Sequence, residues 1–318
     1  MKQFIRLVKN EHMKLYKQKM MWIIIAILIS TITLTLIVTL NSDEEDSPSD
    51  WRTSLEEKNA VLLKQMADET IPEDYKKNTI EKELQLNNYR LENDISPLYS
   101  NTASGFVQET VGFTGLITLF IIIIAASIVS QEYTWGTIKL LLMRPVNRWK
   151  FIIAKFMTVV LNALYLYILL FCLSLIVGTI VFGFSEPGLR YVFMANGEIK
   201  DVSIFYHFLQ YFGSKFVGVI MIASFAFMIS TIFKKNTIAI TISIFIQFAG
   251  TLTSSVLSLL DKGFAKYLFF ANTNLYQYVE GAPPEGQTLT FSIINLIIYF
   301  IIFKFISFYM FEKRDVVT

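Results

Sequence analysis

Residues 131–155, QEYTWGTIKLLLMRPVNRWKFIIAK, lie between two long apolar runs, 109–130 and 151–182. They carry Lys139, Arg144, Arg148, Lys150 and Lys155, with Glu132 near the start. A helix crossing the hydrocarbon of a bilayer needs about 20 mostly apolar residues, and both flanking runs are long enough. The stretch is therefore a basic connection between two membrane spans. The same criterion picks out four further runs, 21–40, 206–233, 237–260 and 289–311. As helices they satisfy their own backbone hydrogen bonds, which lipid demands. None shows the short alternating strands of a membrane barrel. The fold class that follows is an all-α polytopic membrane protein with six transmembrane helices.

Composition agrees. Of 318 residues, 53% are hydrophobic and 17% charged, against about 25% charged in soluble domains, and the mean hydropathy is +0.49. Cys172 is the single cysteine, so no intrachain disulfide forms, and with His12 and His207 as the only histidines a multi-histidine metal site is excluded. The first apolar run is followed by the acidic NSDEED, residues 41–46, without a small-residue cleavage site, and reads as a span rather than a signal peptide.

Orientation follows from lysine and arginine in the connections. With the N-terminus cytoplasmic, the inside segments 1–20, 131–150, 234–236 and 312–318 hold fourteen basic residues, and the short outside loops hold four: Arg190, Lys200, Lys262 and Lys266. Both termini are expected in the cytoplasm. The segment 41–108 becomes an extracellular insertion between the first and second spans. It opens with an acidic linker turning at Pro48, and Ile80, Leu84, Leu91 and Ile95 recur near helical spacing within 73–95. A helical hairpin resting on the outer mouth is one reading of it; direct capture of substrate is the other.

Residues 1–20 form a basic amphipathic helix, with Ile5, Val8, His12, Leu15 and Tyr16 on one face, suited to the inner headgroup region. Residues 183–205 read as an extracellular loop. Two stretches are aromatic and only partly polar: VSIFYHFLQYFGS ahead of Lys215, and 261–288, broken by Gly263, Asn272 and Asn274. Both read as interfacial or re-entrant outer segments. Gln210 and Lys215, with His207, form a candidate polar path, against the alternative that Lys215 snorkels to the headgroups.

The chain contains no HExxH signature, no GxSxG elbow and no dinucleotide fingerprint. Gly213 and Gly218 have the spacing of a phosphate loop, but Val219 and Ile220 stand where its lysine and hydroxyl residue belong. The chain is therefore not expected to be an enzyme or to bind a cofactor, and nothing suggests nucleic acid as a partner.

In the basic connection, WGTIKLLL reads as a helix along the membrane face, with Gly136 leaving room for close approach of a partner and Pro145 stopping it. The run Glu132, Gly136, Thr137, Lys139, Leu141, Pro145, Arg148 and Lys155 resembles the signature of type 2 ABC transporter permeases, and lies between the second and third spans as it does there. The six-span order, the amphipathic N-terminal helix and the interrupted segment before the last span are similar to that family too; the long 41–108 insertion departs from its shortest members.

That resemblance implies a membrane subunit of an exporter, working beside a second permease subunit (a homodimer or a related chain) and engaging a separate cytoplasmic ATP-binding subunit that holds ATP and magnesium. It implies that 131–150 is the coupling helix, with Glu132, Gly136, Thr137, Lys139, Pro145 and Arg148 facing the motor subunit. The apolar, Phe- and Ile-rich spans suit a hydrophobic or amphipathic cargo, such as a peptide, lipid or drug, better than an ion. Two other classes stand against it. A secondary transporter or channel calls for intramembrane carboxylates or an internal repeat, neither evident here. A membrane-embedded scaffold or sensor would use the extracellular module.

Overall fold

The computed structural model describes residues 2–41, 51–138, 147–183, 189–260, 263–281, 283 and 286–313. Among them six helices are long and apolar enough to cross a membrane, and they are numbered here as spans 1 to 6. They are Lys19–Asn41, Ala103–Ser127, Arg148–Phe182, Ile204–Ile232, Asn236–Leu259 and Leu289–Glu312. The chain is a multi-pass, almost wholly helical membrane protein.

Span 4 is the hub, packed against spans 2, 3, 5 and 6. Lipid tails are as apolar as leucine, so helices associate in a membrane through close packing and interhelical hydrogen bonds rather than through burial of greasy surface. Span 4 meets that need with buried Ala223, Ser224, Ala226 and Ser230, set among Ile117, Ile121, Leu166 and Phe227. Spans 1, 5 and 6 turn Trp22, Leu34, Phe245, Ile301 and Phe305 outward, as lipid-facing helices do.

Span 2 begins at Ala103, six residues before the apolar run that marks it in the sequence. Thr102 caps it, its Oγ1 accepting from the Gly105 amide at 3.1 Å. The first turns carry Ser104, Gln108, Glu109 and Thr110, which conceal the helix from a hydropathy reading. Span 3 likewise starts earlier than 151, at Arg148, whose Nη1 donates to the Glu312 carbonyl at 3.0 Å and so ties the start of span 3 to the end of span 6. Span 4 corrects a second expectation: it runs unbroken from Ile204, so the aromatic stretch before Lys215 is plain helix and not a re-entrant segment.

The segment after span 3 contains a β-hairpin, Arg190–Ala195 paired antiparallel with Glu198–Ser203, where a loop was expected. Asn196 and Gly197 both have positive φ, 55° and 79°, the geometry of a two-residue hairpin turn whose signal is the Asn-Gly pair itself. Against this hairpin rests the module of residues 51–101. Its helices Trp51–Ala67 and Glu81–Asn93 are joined through a short turn, Glu73–Tyr75, and a π-helical turn, Lys76–Ile80. The Asn87 Nδ2 donates to Asn59 Oδ1 at 2.9 Å between the two helices, and Ile80, Leu84 and Ile95 are buried in line with their helical spacing. Tyr89 donates to Asp201 at 3.2 Å and Arg90 to the Val192 carbonyl at 3.2 Å, fixing module to hairpin.

On the same side a strap, residues 263–281, makes three 3-10 turns, Ala265–Tyr267, Phe270–Asn272 and Leu275–Tyr278. Non-helical backbone is tolerated at such depth only when protein satisfies it. Asn272, fully buried, does so: its Nδ2 donates to the carbonyls of Lys266 and Leu268, both at 2.8 Å, and its Oδ1 accepts from Ser292 at 2.6 Å. The strap lies flat on span 4 at Gly218, where any Cβ would overlap the Thr273 carbonyl oxygen.

Candidate functional site

On the face opposite the strap, the N-terminal helix Lys2–Lys17 packs on span 3, and the geometry of its buried stripe sets up a cluster of four charges. The buried positions are Leu7, Glu11 and Leu15, at successive i+4 steps, with Leu7 against Phe151 and Ala154. Ile5, expected on the apolar face, is 58% exposed, because the helix seats on protein along a stripe rotated away from it. Span 2 breaks at Ile128 and Val129 and resumes as the short helix Ser130–Thr134. The Ser230 hydroxyl of span 4 accepts from the amides of Val129 and Ser130, at 3.1 and 3.0 Å, doing from a neighbouring helix what a capping residue does locally. The resumed turn points Glu132 inward.

Lys155 of span 3 is the centre. Its Nζ, with the side chain 1% exposed, lies 2.6 Å from Glu11 Oε2 and 3.0 Å from Glu132 Oε1. Lys14 bridges the same two carboxylates from the rim, at 2.8 and 3.2 Å. Thr137 donates to the other oxygen of Glu132. Two anions and two cations balance, which allows ions to sit in a medium that otherwise penalises each heavily. Burial pushes the Glu132 carboxyl upward, but the Lys155 charge, the Thr137 hydroxyl and Lys14 outweigh it and bring it down to about 2. Burial also opposes ionisation of Glu11, and again Lys155 and Lys14 prevail and lower it.

A cavity of about 250 Å³ opens beside the cluster, walled in part by Gln18, Gln131 and Trp135. Among the described residues no group of three His, Cys, Asp or Glu could hold a metal. What the cluster does within the fold is link elements. It joins the N-terminal helix, the end of span 2 and span 3 at the root of the 131–147 connection. That root is tied to the turn between spans 4 and 5 as well, since Ser130 donates to Asn236 Oδ1 at 3.1 Å and the Asn236 amide donates to Thr134 at 3.1 Å.

A pH dependence follows. Both carboxylates have folded-state values below their ordinary ones, so their contribution is complete above about pH 4.5 and is lost as pH falls toward 2. Hydrogen-exchange protection in residues 2–17, measured against intrinsic exchange at each pH, is expected to stay high from neutral pH to about 4.5 and to fall below it; protection unchanged at pH 3 would contradict the pairing.

The structure brings together Glu132 and Thr137 from the sequence-derived set, places Arg148 nearby on the Glu312 carbonyl, and leaves Lys139 and Pro145 outside the described residues. Three expectations change. Glu132, expected to face the motor subunit, is held within the chain by Lys155, Lys14 and Thr137. Gly136 is not inside a helix: its φ is +71°, a left-handed turn that itself calls for glycine. Lys155, counted with the basic connection, is instead buried within span 3. Glu11 was missed, although it is the lone acid of residues 1–42, set in a basic helix between Leu7 and Leu15.

The polar path also dissolves. Gln210 and Lys215 are five residues apart on one continuous helix, about 140° around it, and they line separate cavities. Lys215 does not snorkel free; its Nζ donates to Asn274 Oδ1 of the strap at 2.9 Å. His207 is buried and stacked on Tyr191 at 3.7 Å between ring centroids. Lys304 of span 6, unremarked in the sequence, stands over the Phe156 ring, with Phe227 and Phe300 beside it.

The family described as Protein of unknown function (DUF2705) matches over residues 79–317. The chain is similar to the Uncharacterized protein YhcI of Bacillus subtilis (strain 168), 36% identical over 315 residues, covering 98% of this chain and 99% of the relative. It is also similar to the Uncharacterized membrane protein YdbK of the same organism, 32% identical over 214 residues, 67% of this chain and 82% of the relative.

Proposed function

The chain belongs to the family described as Protein of unknown function (DUF2705), and from that premise we propose that it is the membrane-embedded permease subunit of an ATP-driven ABC exporter. The observation that carries this reading is the ion cluster at the root of the 131–147 connection, because a force applied to that connection reaches three elements at once. Two motor subunits closing on ATP and magnesium would push on the connections of two permease subunits. Glu132 would pass the displacement to Lys155 in span 3 and to Glu11 in the N-terminal helix, and a site between subunits would alternate its exposure, an interface-transmitted two-state switch. The chain itself hydrolyses nothing in this scheme. The basic bias of the connections supports a cytoplasmic position for both termini and the 131–147 connection, and the permease reading places the chain in the plasma membrane of a bacterial cell.

One experiment tests partner and topology together. A cysteine at Asn147, in a Cys172→Ser background, is expected to react with an impermeant maleimide only in permeabilised cells. Carrying a photoreactive cross-linker, it is expected to capture an ATP-binding subunit, while the purified chain alone shows no ATP hydrolysis above background. Labelling in intact cells would overturn the orientation. A cross-linker that captures no ATP-binding subunit would overturn the permease reading, and would favour a sensor built on the 51–101 module and the hairpin it grips.

A further inference from the structure

Between spans 2, 4 and 5, under the strap, lies a cleft of about 490 Å³, within the range of small-molecule sites. Its two ends differ in chemistry. Spans 4 and 5 share the turn at 233–235, so depth can be counted from that common level at 1.5 Å per residue. By that count Lys215 and Ser255 both stand roughly 26–28 Å away, near the far edge of a hydrocarbon layer about 30 Å thick, and Thr251 stands about one turn below Ser255. Ile222 lies at about 15 Å, the middle of the bilayer. The cleft thus runs from a cation, an amide and hydroxyls at its mouth to a floor of Ile122 and Ile222 with one amide, Gln247, at their level. Its span 5 wall is exposed, with Phe248 at 56% and Leu252 at 67%, so the cleft opens sideways into lipid.

The cation at the mouth is held in place and left without a counter-charge. Lys215 Nζ donates to Asn274 Oδ1 and faces the rings of Tyr211 and Tyr276 at 5.5 and 5.7 Å. An ammonium has three donors, and among the described residues no carboxylate lies within ion-pair distance of it; Glu280 on the strap acts on it only through its field. A cation fixed near the edge of the hydrocarbon, with its donors only partly used, favours an anionic partner there.

We propose that this cleft binds an amphiphile with an anionic head, phosphate or carboxylate, the head on Lys215 and Asn274 and the tail directed to Ile122 and Ile222. As cargo, such a molecule rests on the permease reading; as a site, it does not. The same chemistry is offered by an exported single-chain amphiphile and by an anionic phospholipid of the leaflet on the strap side.

The test uses the full chain in phosphatidylcholine nanodiscs with dodecyl phosphate bearing a diazirine in its tail. Photolabel is expected in the peptides containing Ile122 and Ile222. Unlabelled dodecyl phosphate should compete about tenfold better than dodecanol or dodecyltrimethylammonium, and Lys215→Gln should lower labelling by about tenfold while Lys215→Arg retains it. Lys215→Glu should reverse the preference toward dodecyltrimethylammonium, a gain that misfolding cannot imitate. Competition by phosphatidylglycerol in the nanodisc would support the site and identify its occupant as resident lipid; competition by dodecyl phosphate alone would support it with a single-chain cargo. Equal competition by all three head types, or unchanged labelling in both Lys215→Gln and Lys215→Glu, would overturn it. Binding as expected in a chain whose Asn147 position captures no ATP-binding subunit would defeat the permease reading and leave this site standing; capture without binding would do the reverse.

Discussion

Replacing Lys155 with methionine is expected to destabilise the protein by about 3–5 kcal/mol, the effect of removing one partner from a buried ion pair. Glu11 and Glu132 would then be left with Lys14, whose side chain is 53% exposed and contributes correspondingly little. One of the two carboxyls should take up a proton near neutral pH, and the N-terminal helix should lose its hydrogen-exchange protection. The neutral set Glu11→Gln, Glu132→Gln and Lys155→Met is expected to recover most of the thermal stability, since a buried ion cluster replaced as a whole is often no less stable. If the cluster transmits force, the neutral set should fold, insert and still fail to couple. Wild-type thermal stability in Lys155→Met alone would show that the four charges are not the joint described here.

Gly218→Leu is expected to lift the strap. The Thr273 carbonyl oxygen occupies the place of a Cβ, and backbone cannot swing aside as a long side chain can. Overpacking of this kind costs about 1–3 kcal/mol, enough to raise the open population of the strap by roughly tenfold or more. Limited proteolysis within 263–281 should quicken by a similar factor, and the Lys215–Asn274 bond should be lost with it. Gly218→Ala should show the same effect in smaller measure. Cleavage at the wild-type rate in Gly218→Leu would mean that the strap is not seated on span 4.

The six spans were legible because lipid imposes one simple demand, length and greasiness, that hydropathy reads directly. Span 2 was legible only in part: its first six residues include Ser104 and Gln108, polar side chains that a folded neighbour accommodates and a hydropathy window does not. The cluster was half visible. Glu132 and Lys155 stood out by resemblance, yet their partnership with Glu11 joins residues 144 apart, and no local periodicity encodes such a contact. The hairpin was readable in principle from Asn196-Gly197 and was passed over. Gly136 shows the commonest error of sequence reading: glycine signalled something special, and the choice between a close approach and a left-handed turn needed the backbone.

The 144 residues between Glu11 and Lys155 also bear on how the chain is made. At about 5–20 residues per second, Lys155 leaves the ribosome roughly 7 to 30 s after Glu11, and span 2 with Glu132 arrives in between. Until then the N-terminal helix has only its own Lys14, one turn away, to hold the Glu11 carboxylate. The ion-paired docking of the helix is therefore completed only when span 3 inserts, after spans 1 and 2 and before spans 4 to 6. A nascent chain whose third span fails to enter the bilayer keeps that helix loose, so the first sixteen-residue helix to be synthesised reports on whether the middle of the protein has been built.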